Sequence, residues 1–248
     1  MRDLVSLLIA LMLCIINFTL PRWKIFQGGA PSALLSISAG TGLTYVFLVL
    51  LPKLAQVQAT IPASTAGSAI PGQNHVYLVA LTGFVIFLLL LRKDLAGGGR
   101  RGRGWSTGTV LVAVIFSLYN AQVGYFLGDW PIQGVGGYLL AGIVLGLHIM
   151  GLNYHIWHYY PHHYERSFRS IFCVFMLLGW LAAILTDRLY GVMTVATVFI
   201  TGAIIITAIR EEIPARNEKV HVPFFLGAIL VSAFVILTLQ ETNTGGAS

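Results

Sequence analysis

The residues best suited to chemistry lie in the stretch 142–169, which reads GIVLGLHIMGLNYHIWHYYPHHYERSFR. This stretch begins as an apolar segment typical of a membrane-crossing helix and ends in a polar, histidine-rich segment that we expect to be a loop. His148 lies in the apolar part, with hydrophobic neighbours on both sides. Because an ionisable side chain at membrane depth is energetically costly, such a residue points to a functional site.

A second polar group lies upstream, in the segment 117–128 (SLYNAQVGYFLG). Tyr119, Asn120 and Gln122 interrupt an otherwise apolar run there, and only a short connection separates the two segments. We therefore expect an antiparallel helix pair whose polar residues face each other. At 1.5 Å per residue, Asn120 and His148 would lie about 12 Å and about 16 Å below the same surface, near mid-membrane, where transporter sites are common.

Few side chains that commonly bind metal ions lie at that depth. Zinc usually takes four ligands from His, Cys, Asp and Glu, and none of the nine carboxylates lies in the middle of an apolar segment. His148 is the one conventional ligand there, and the neighbouring neutral oxygens belong to Tyr119, Asn120, Gln122 and Asn153. Two interpretations stay open, a metal path and a His–Asn–Tyr hydrogen-bond lock between helices.

More histidines follow at the predicted cytoplasmic mouth. His155 comes seven residues after His148 on the same helix face, about 10 Å away, which is too far to share an ion. His155 and His158 could share one. They belong to the motif HxxHYYPHH at 155–163, which is either a metal way-station or a loop whose aromatic residues anchor at the interface.

Two acidic residues form a further candidate group. Glu211 and Glu212 lie at the predicted inner end of the apolar segment 189–209. They either attract cations towards the path, alongside the path-lining Tyr119 and Gln122, or pair with nearby arginines.

The composition indicates an integral membrane protein. Of 248 residues, 56% are hydrophobic and 10% are charged, against about 25% charged in soluble domains. The apolar runs are too long and uniform for barrel strands, so we expect an all-α membrane protein. The net charge of +6 lies in short loops and does not point to nucleic acid. Cys14 and Cys173 lie within predicted helices, as small buried residues rather than a disulfide.

We predict eight transmembrane helices in a single domain spanning 1–248. Twelve of the 15 Lys and Arg residues fall in loops on one side, which places both termini outside the cytoplasm. Residues 96–104 (AGGGRRGRG) would form a flexible basic cytoplasmic linker, and the first span is expected to be retained rather than cleaved as a signal peptide. The predicted spans are about 3–20, 30–52, 75–91, 106–128, 135–158, 168–186, 189–209 and 222–240.

Small residues lie within several of these spans, and prolines lie at their ends. Gly124 and Gly128, at GxxxG spacing, predict close helix packing rather than chemistry. Gly40 and Gly202 lie in segments rich in small residues and are interpreted in the same way. Pro52, just past the second span, is expected to stop that helix.

Three segments carry a resemblance to a known family. The segment 40–52 ends in Leu-Leu-Pro, the segment 202–214 begins with Gly-Ala and ends in Glu-Glu-Ile-Pro, and Asn120 precedes the sequence GYFLG. With the loop charges, these features resemble the ZIP family of divalent-metal transporters. The resemblance implies a ZIP-like bundle of eight helices, termini outside, and a metal path between spans 4 and 5.

The chain departs from the family pattern at the metal site. The family's span 4 His and Asp fall on Tyr119 and Val123, and its span 5 pattern His-Glu-x-Pro-His-Glu falls on residues 148–153. There His148 is kept and Asn153 stands where the last Glu would be. The resemblance thus implies a ZIP-like fold with a degenerate metal site.

Two functions follow as expectations. The first is transport of a divalent cation of the zinc, iron or manganese class, with His148, Asn120 and Asn153 lining the path and His155 and His158 at the inner mouth. The second is a ZIP-fold protein that has lost metal transport and acts in binding, regulation or transport of another solute. A di-metal oxidation enzyme fits less well, because such sites usually require more histidines than the seven present.

The expected surroundings match a non-enzymatic membrane protein. The partners would be the lipid bilayer and the transported divalent metal ion, with no nucleic acid and no required cofactor. A homodimer is left open. The cytoplasmic (plasma) membrane is the expected location.

Overall fold

The computed structural model describes residues 2–23, 32–60, 75–93, 104–129, 135–185, 190–211 and 222–233. Within these ranges the chain is almost entirely helical and has no β-strand. Three helical segments are long and apolar enough to cross a membrane, namely Asp3–Arg22, Thr107–Gly128 and Pro161–Leu185. The predicted all-helical character is confirmed.

Ten α-helical segments can be numbered along the described residues. Two π-helical turns, Val46–Leu50 and Tyr164–Phe168, each lead directly into the helix that follows them, and a 3₁₀ turn, Leu20–Arg22, follows the first helix. The helices are α1 (Arg2–Thr19), α2 (Ser32–Tyr45), α3 (Leu51–Thr60), α4 (His75–Lys93), α5 (Thr107–Gly128), α6 (Val135–Tyr159), α7 (Pro161–His163), α8 (Arg169–Leu185), α9 (Tyr190–Glu211) and α10 (Val222–Ala233).

Helix α1 exposes an apolar stripe and buries two polar residues beside apolar ones such as Leu13. Its buried face includes two polar residues, Ser6 and Asn17. Its exposed face is an apolar stripe at helical spacing, formed by Leu4, Leu8, Leu11 and Ile15. An apolar stripe that faces outward, opposite buried polar residues, is typical of a helix that contacts lipid.

Glycines bring three pairs of helices into close contact. A Cβ atom at Gly124 of α5 would fall on the backbone carbonyl of Met176 in α8, and one at Gly179 of α8 would fall on the carbonyl of Ala121 in α5. The same reciprocal arrangement joins α4 to α9 through Gly83 and Gly202, and α2 to α10 through Gly40 and Gly227. The packing role predicted for Gly40, Gly124, Gly128 and Gly202 is confirmed, because each lies against a neighbouring helix.

The second helical segment does not stop at Pro52. The chain stays helical through α2, the π-helical turn and α3, as far as Thr60. A proline lacks the N–H that an α-helix needs and its ring clashes with the preceding turn. The π-helical turn Val46–Leu50 widens the helix just before the proline. The N–H of Leu51, the first residue of α3, donates to the Val46 carbonyl five residues earlier. The prediction that Pro52 ends the helix is therefore wrong.

The histidine-rich segment after α6 is helical rather than a loop. Only Tyr160 separates α6 from the next helical segment, Pro161–Leu185. Pro161 stands at the first helical position, where its missing N–H costs nothing. Tyr164, Phe168 and Phe172, at four-residue spacing, are fully buried and hold this segment against the core. The sixth span was predicted to start at about 168. The helical segment begins seven residues earlier, at Pro161.

Candidate functional site

The two helices that carry the predicted site residues do not pack as a direct pair. Helix α5 packs most closely along α8, whereas α6 packs along α1 and α2. The glycines of α5 and α8 explain this choice, since they let those two backbones approach more closely than bulkier residues would. The expected α5–α6 antiparallel pair is therefore wrong at the level of helix packing. Helix α1, which contacts α5, α6 and α8, connects the two instead.

Asn17 of α1 links the two predicted asparagines. Its Nδ2 donates to Oδ1 of Asn120 on α5 at 3.4 Å, and its Oδ1 accepts a hydrogen bond from Nδ2 of Asn153 on α6. Asn120 also donates to the Phe116 carbonyl of its own helix at 2.7 Å. All three amides are at most 2% exposed. Each amide group can both donate and accept, so the chain of three crosses three helices without a formal charge.

A tyrosine fixes the position of Asn17 from another side. The hydroxyl of Tyr164 donates to the backbone carbonyl of Asn17 at 2.9 Å, and both residues are buried. This bond satisfies a carbonyl in the last turn of α1, where intrahelical partners run out. The segment that follows α6 thus contributes to the position of the amide chain.

His148 lies between two tyrosines from different helices. Its ring centroid is 6.2 Å from that of Tyr45 at the end of α2 and 6.1 Å from that of Tyr119 on α5. The side chain of His148 is 2% exposed. The π-helical turn begins directly after Tyr45, and such turns are frequent at functional sites. Tyr119, Asn120, His148 and Asn153 are all buried, with Asn120 and Asn153 both bonded to Asn17 and the ring of His148 against that of Tyr119.

Sequence reasoning missed Asn17 and Tyr45. Asn17 carried a usable signal, because it is an amide in the apolar run LCIINFTL, the same feature that drew attention to Asn120. Tyr45 carried none, since a tyrosine near a helix end is usually an interfacial residue. Neither helix α1 nor helix α2 was expected to contribute to the site.

The histidines after His148 do not join this polar region. The ring of Tyr154 stacks on that of His158 at 6.1 Å and meets that of His155 edge-on at 5.8 Å. His163 is buried, and its ring meets that of Trp105 at 5.5 Å. Over the described ranges, no three His, Cys, Asp or Glu side chains converge as a metal site.

The remaining predicted residues stand apart. Gln122 is half-buried on α5, and its Oε1 has no hydrogen-bond partner within the described part of the chain. Glu211 is the last residue of α9, and Glu212 lies outside the described residues. The predicted linker at 96–104 also falls outside them, apart from Gly104.

These features define a class of protein without naming a family. The described residues form a helical bundle with segments apolar enough to cross a membrane and a buried polar centre of three amides, the His148 imidazole and the Tyr119 phenol, beside the half-buried Tyr45. No family model, curated protein or solved structure matches the chain. The resemblance to ZIP transporters therefore stays a prediction from sequence.

Proposed function

We propose that this chain is an integral membrane transporter with eight spans and both termini outside the cytoplasm. Its substrate site would be the polar centre formed by Asn17, Asn120, Asn153 and His148. The observation that carries the proposal is the convergence of three buried amides from three helices, with His148 buried against Tyr119, the chain neighbour of Asn120. Buried polar groups at such a position are expensive and commonly mark a substrate path.

A divalent cation of the zinc, iron or manganese class is the substrate we propose. The sequence features that resemble ZIP transporters support this choice, and His148 supplies the one conventional metal ligand of the centre. His155 and His158, at the predicted cytoplasmic end of α6, would form the inner mouth of this path.

A second candidate is a ZIP-like protein that has lost metal transport. Hydrogen bonds among Asn17, Asn120 and Asn153 favour it, because amides that bond to each other hold helices together without any solute. Such a protein would bind, regulate or carry another solute through the same scaffold.

Uptake into liposomes separates the two candidates. Purified protein is reconstituted, and zinc, ferrous iron and manganese uptake is compared between wild type and His148→Ala. The control is His75→Ala, at the start of α4 and outside the polar centre. Metal uptake that is lost in His148→Ala and kept in His75→Ala supports transport. No uptake of any of the three ions by monodisperse wild-type protein rejects it and leaves the second candidate.

A further inference from the structure

Three sulfur atoms converge where α1 crosses α8. The Sγ of Cys14 lies 3.9 Å from the Sδ of Met176. The Sγ of Cys14 donates to the carbonyl of Cys173 at 3.8 Å, and the Sγ of Cys173 donates to the carbonyl of Cys14 at 3.5 Å. Cys173 and Met176 are three residues apart and so share one face of α8.

The cluster is enclosed by the bundle. Met176 is fully buried, and the two cysteines are 7% to 8% exposed. Both cysteines are free thiols rather than a disulfide. Buried cysteines usually act as small hydrophobic residues, but two thiols and a thioether converging from two helices are also a set of metal ligands.

We propose that Cys14, Cys173 and Met176 form a binding site for a soft monovalent cation, with Cu(I) as the ion. Thiolate and thioether sulfur select soft ions such as Cu(I) over hard ones. Zinc, in contrast, requires four ligands in structural sites, and three sulfurs leave its coordination incomplete.

The distance between the sulfurs of Cys14 and Met176 agrees with three-coordinate binding. Metal–sulfur bonds are about 2.3 Å long, which puts the sulfurs of a planar three-coordinate site about 4 Å apart. The 3.9 Å between Cys14 and Met176 meets that requirement without movement of either helix. One Cu(I) displaces one thiol proton, which passes to solvent, so one thiolate and the Met176 thioether bind the ion directly. The second thiol stays protonated beside the ion, and the filled site carries no net charge. Neutrality matters because an uncompensated charge within the bundle is costly.

The site borders the proposed divalent-metal path at Asn17, which lies one turn from Cys14 on α1, but the two share no ligand. It uses sulfur ligands from α1 and α8, whereas the polar centre uses amide and imidazole groups from α1, α5 and α6. Binding of Cu(I) would therefore survive the loss of His148. Cu(I) binding can therefore be tested whether or not the protein transports zinc, iron or manganese.

The test is an anaerobic titration of full-length protein in detergent. Cu(I) is supplied as its complex with the coloured chelator bicinchoninate, and the protein competes for it. Wild type should remove one equivalent of Cu(I), and Cys14→Ser with Cys173→Ser should remove none at that affinity. Met176→Leu keeps the side-chain volume but loses the sulfur, and it should weaken binding at least about tenfold, the effect typical of perturbing a metal's surroundings.

The control is Met150→Leu, a buried methionine of α6 in a different apolar cluster, which should bind as wild type does. No Cu(I) binding by monodisperse wild-type protein would overturn the site, as would unchanged affinity in Met176→Leu. If the cysteine variants do not fold, X-ray absorption of Cu(I)-loaded wild type decides. A sulfur-only shell supports the site, and a shell containing imidazole nitrogen refutes it.

Discussion

The side-chain amide of Asn17 on α1 donates to Oδ1 of Asn120 on α5 across 3.4 Å, in the buried centre of the bundle. Because Asn17 also accepts from Asn153 on α6, one residue of the first helix connects two helices whose backbones are not closely packed. Buried hydrogen-bond networks of this kind specify one arrangement of helices, because a shifted helix would leave an amide unsatisfied. In the proposed substrate site, these uncharged amide side chains would line one side.

Replacing Asn17 should therefore lower the stability of the whole helical bundle. Cross-helix hydrogen bonds in membrane proteins contribute about 0.6 kcal/mol on average and about 1.7 kcal/mol at most. Asn17→Ala removes two of them, so the free energy of unfolding should fall by about 1 kcal/mol. Unfolding in mixed detergent micelles measures it.

A double-mutant cycle makes the prediction specific to the network. Asn17→Ala and Asn153→Ala should be non-additive by about 0.6 kcal/mol, the size of one cross-helix bond. Thr82→Ala is the matched control, because exposed Thr82 bonds only the Leu78 carbonyl of its own helix. Its effect should add to that of Asn153→Ala within about 0.5 kcal/mol. Additivity of Asn17→Ala with Asn153→Ala would contradict the network.

The glycine contacts predict a second stability effect. In Gly179→Ala the new methyl group would fall on the backbone carbonyl of Ala121, so α8 must move away from α5. Overpacking of this kind costs about 1–3 kcal/mol, which should appear as a lower midpoint of thermal unfolding. Gly104→Ala is the control, because nothing lies within 4 Å of its new Cβ. Equal midpoints for the two variants would show that the α5–α8 contact tolerates separation.

Helix positions could be predicted from the sequence more accurately than which helices pack against each other. Apolar runs located the helix start at His75 and the helix end at Gly128 to within a residue or two. Those boundaries follow from local chemistry, namely the length of each run and the polar or glycine residues beside it. Pairing depends on which faces fit together, and reciprocal contacts such as Gly124 with Gly179 involve residues distant in the chain.

The site was predicted in part for the same reason. Asn120, His148 and Asn153 each stood out as a polar side chain in an apolar run, and all three are buried in the polar centre. Asn17 met the same criterion but lies on α1, a helix with no expected role. Its contribution depends on tertiary packing of α1 between α5 and α6.

The proposed topology predicts which loops face the cell exterior. Both native cysteines are buried, so wild-type protein should react little with a membrane-impermeant maleimide in intact cells. Ser64→Cys, in the predicted external loop, should be labelled directly, and Gly98→Cys, in the predicted cytoplasmic linker, only after permeabilisation. The positive-inside argument gives this order. Labelling in the reverse order would place the termini in the cytoplasm.

A carboxylate placed at Asn153 should make the protein's stability depend on divalent metal. Asn153→Asp keeps the side-chain shape but puts a negative charge beside Asn17 in a buried region. A buried, uncompensated charge is strongly unfavourable, so the midpoint of thermal unfolding should drop in the presence of a chelator. A divalent ion held between the introduced carboxylate and His148 would compensate the charge, and zinc or manganese should restore much of the loss.

The control for metal rescue is Asn153→Leu, which removes the amide without adding a ligand. It should be destabilised equally with and without metal, because nothing in it gains from an ion. Combining Asn153→Asp with His148→Ala should abolish the rescue if the imidazole completes the site. Rescue that persists without His148 would mean that the ion binds elsewhere, and the proposed pairing of residues 148 and 153 around one ion would be wrong. Absence of rescue in Asn153→Asp itself would favour the hydrogen-bond lock over a cation path, since even a restored carboxylate would then fail to recruit a metal to this centre.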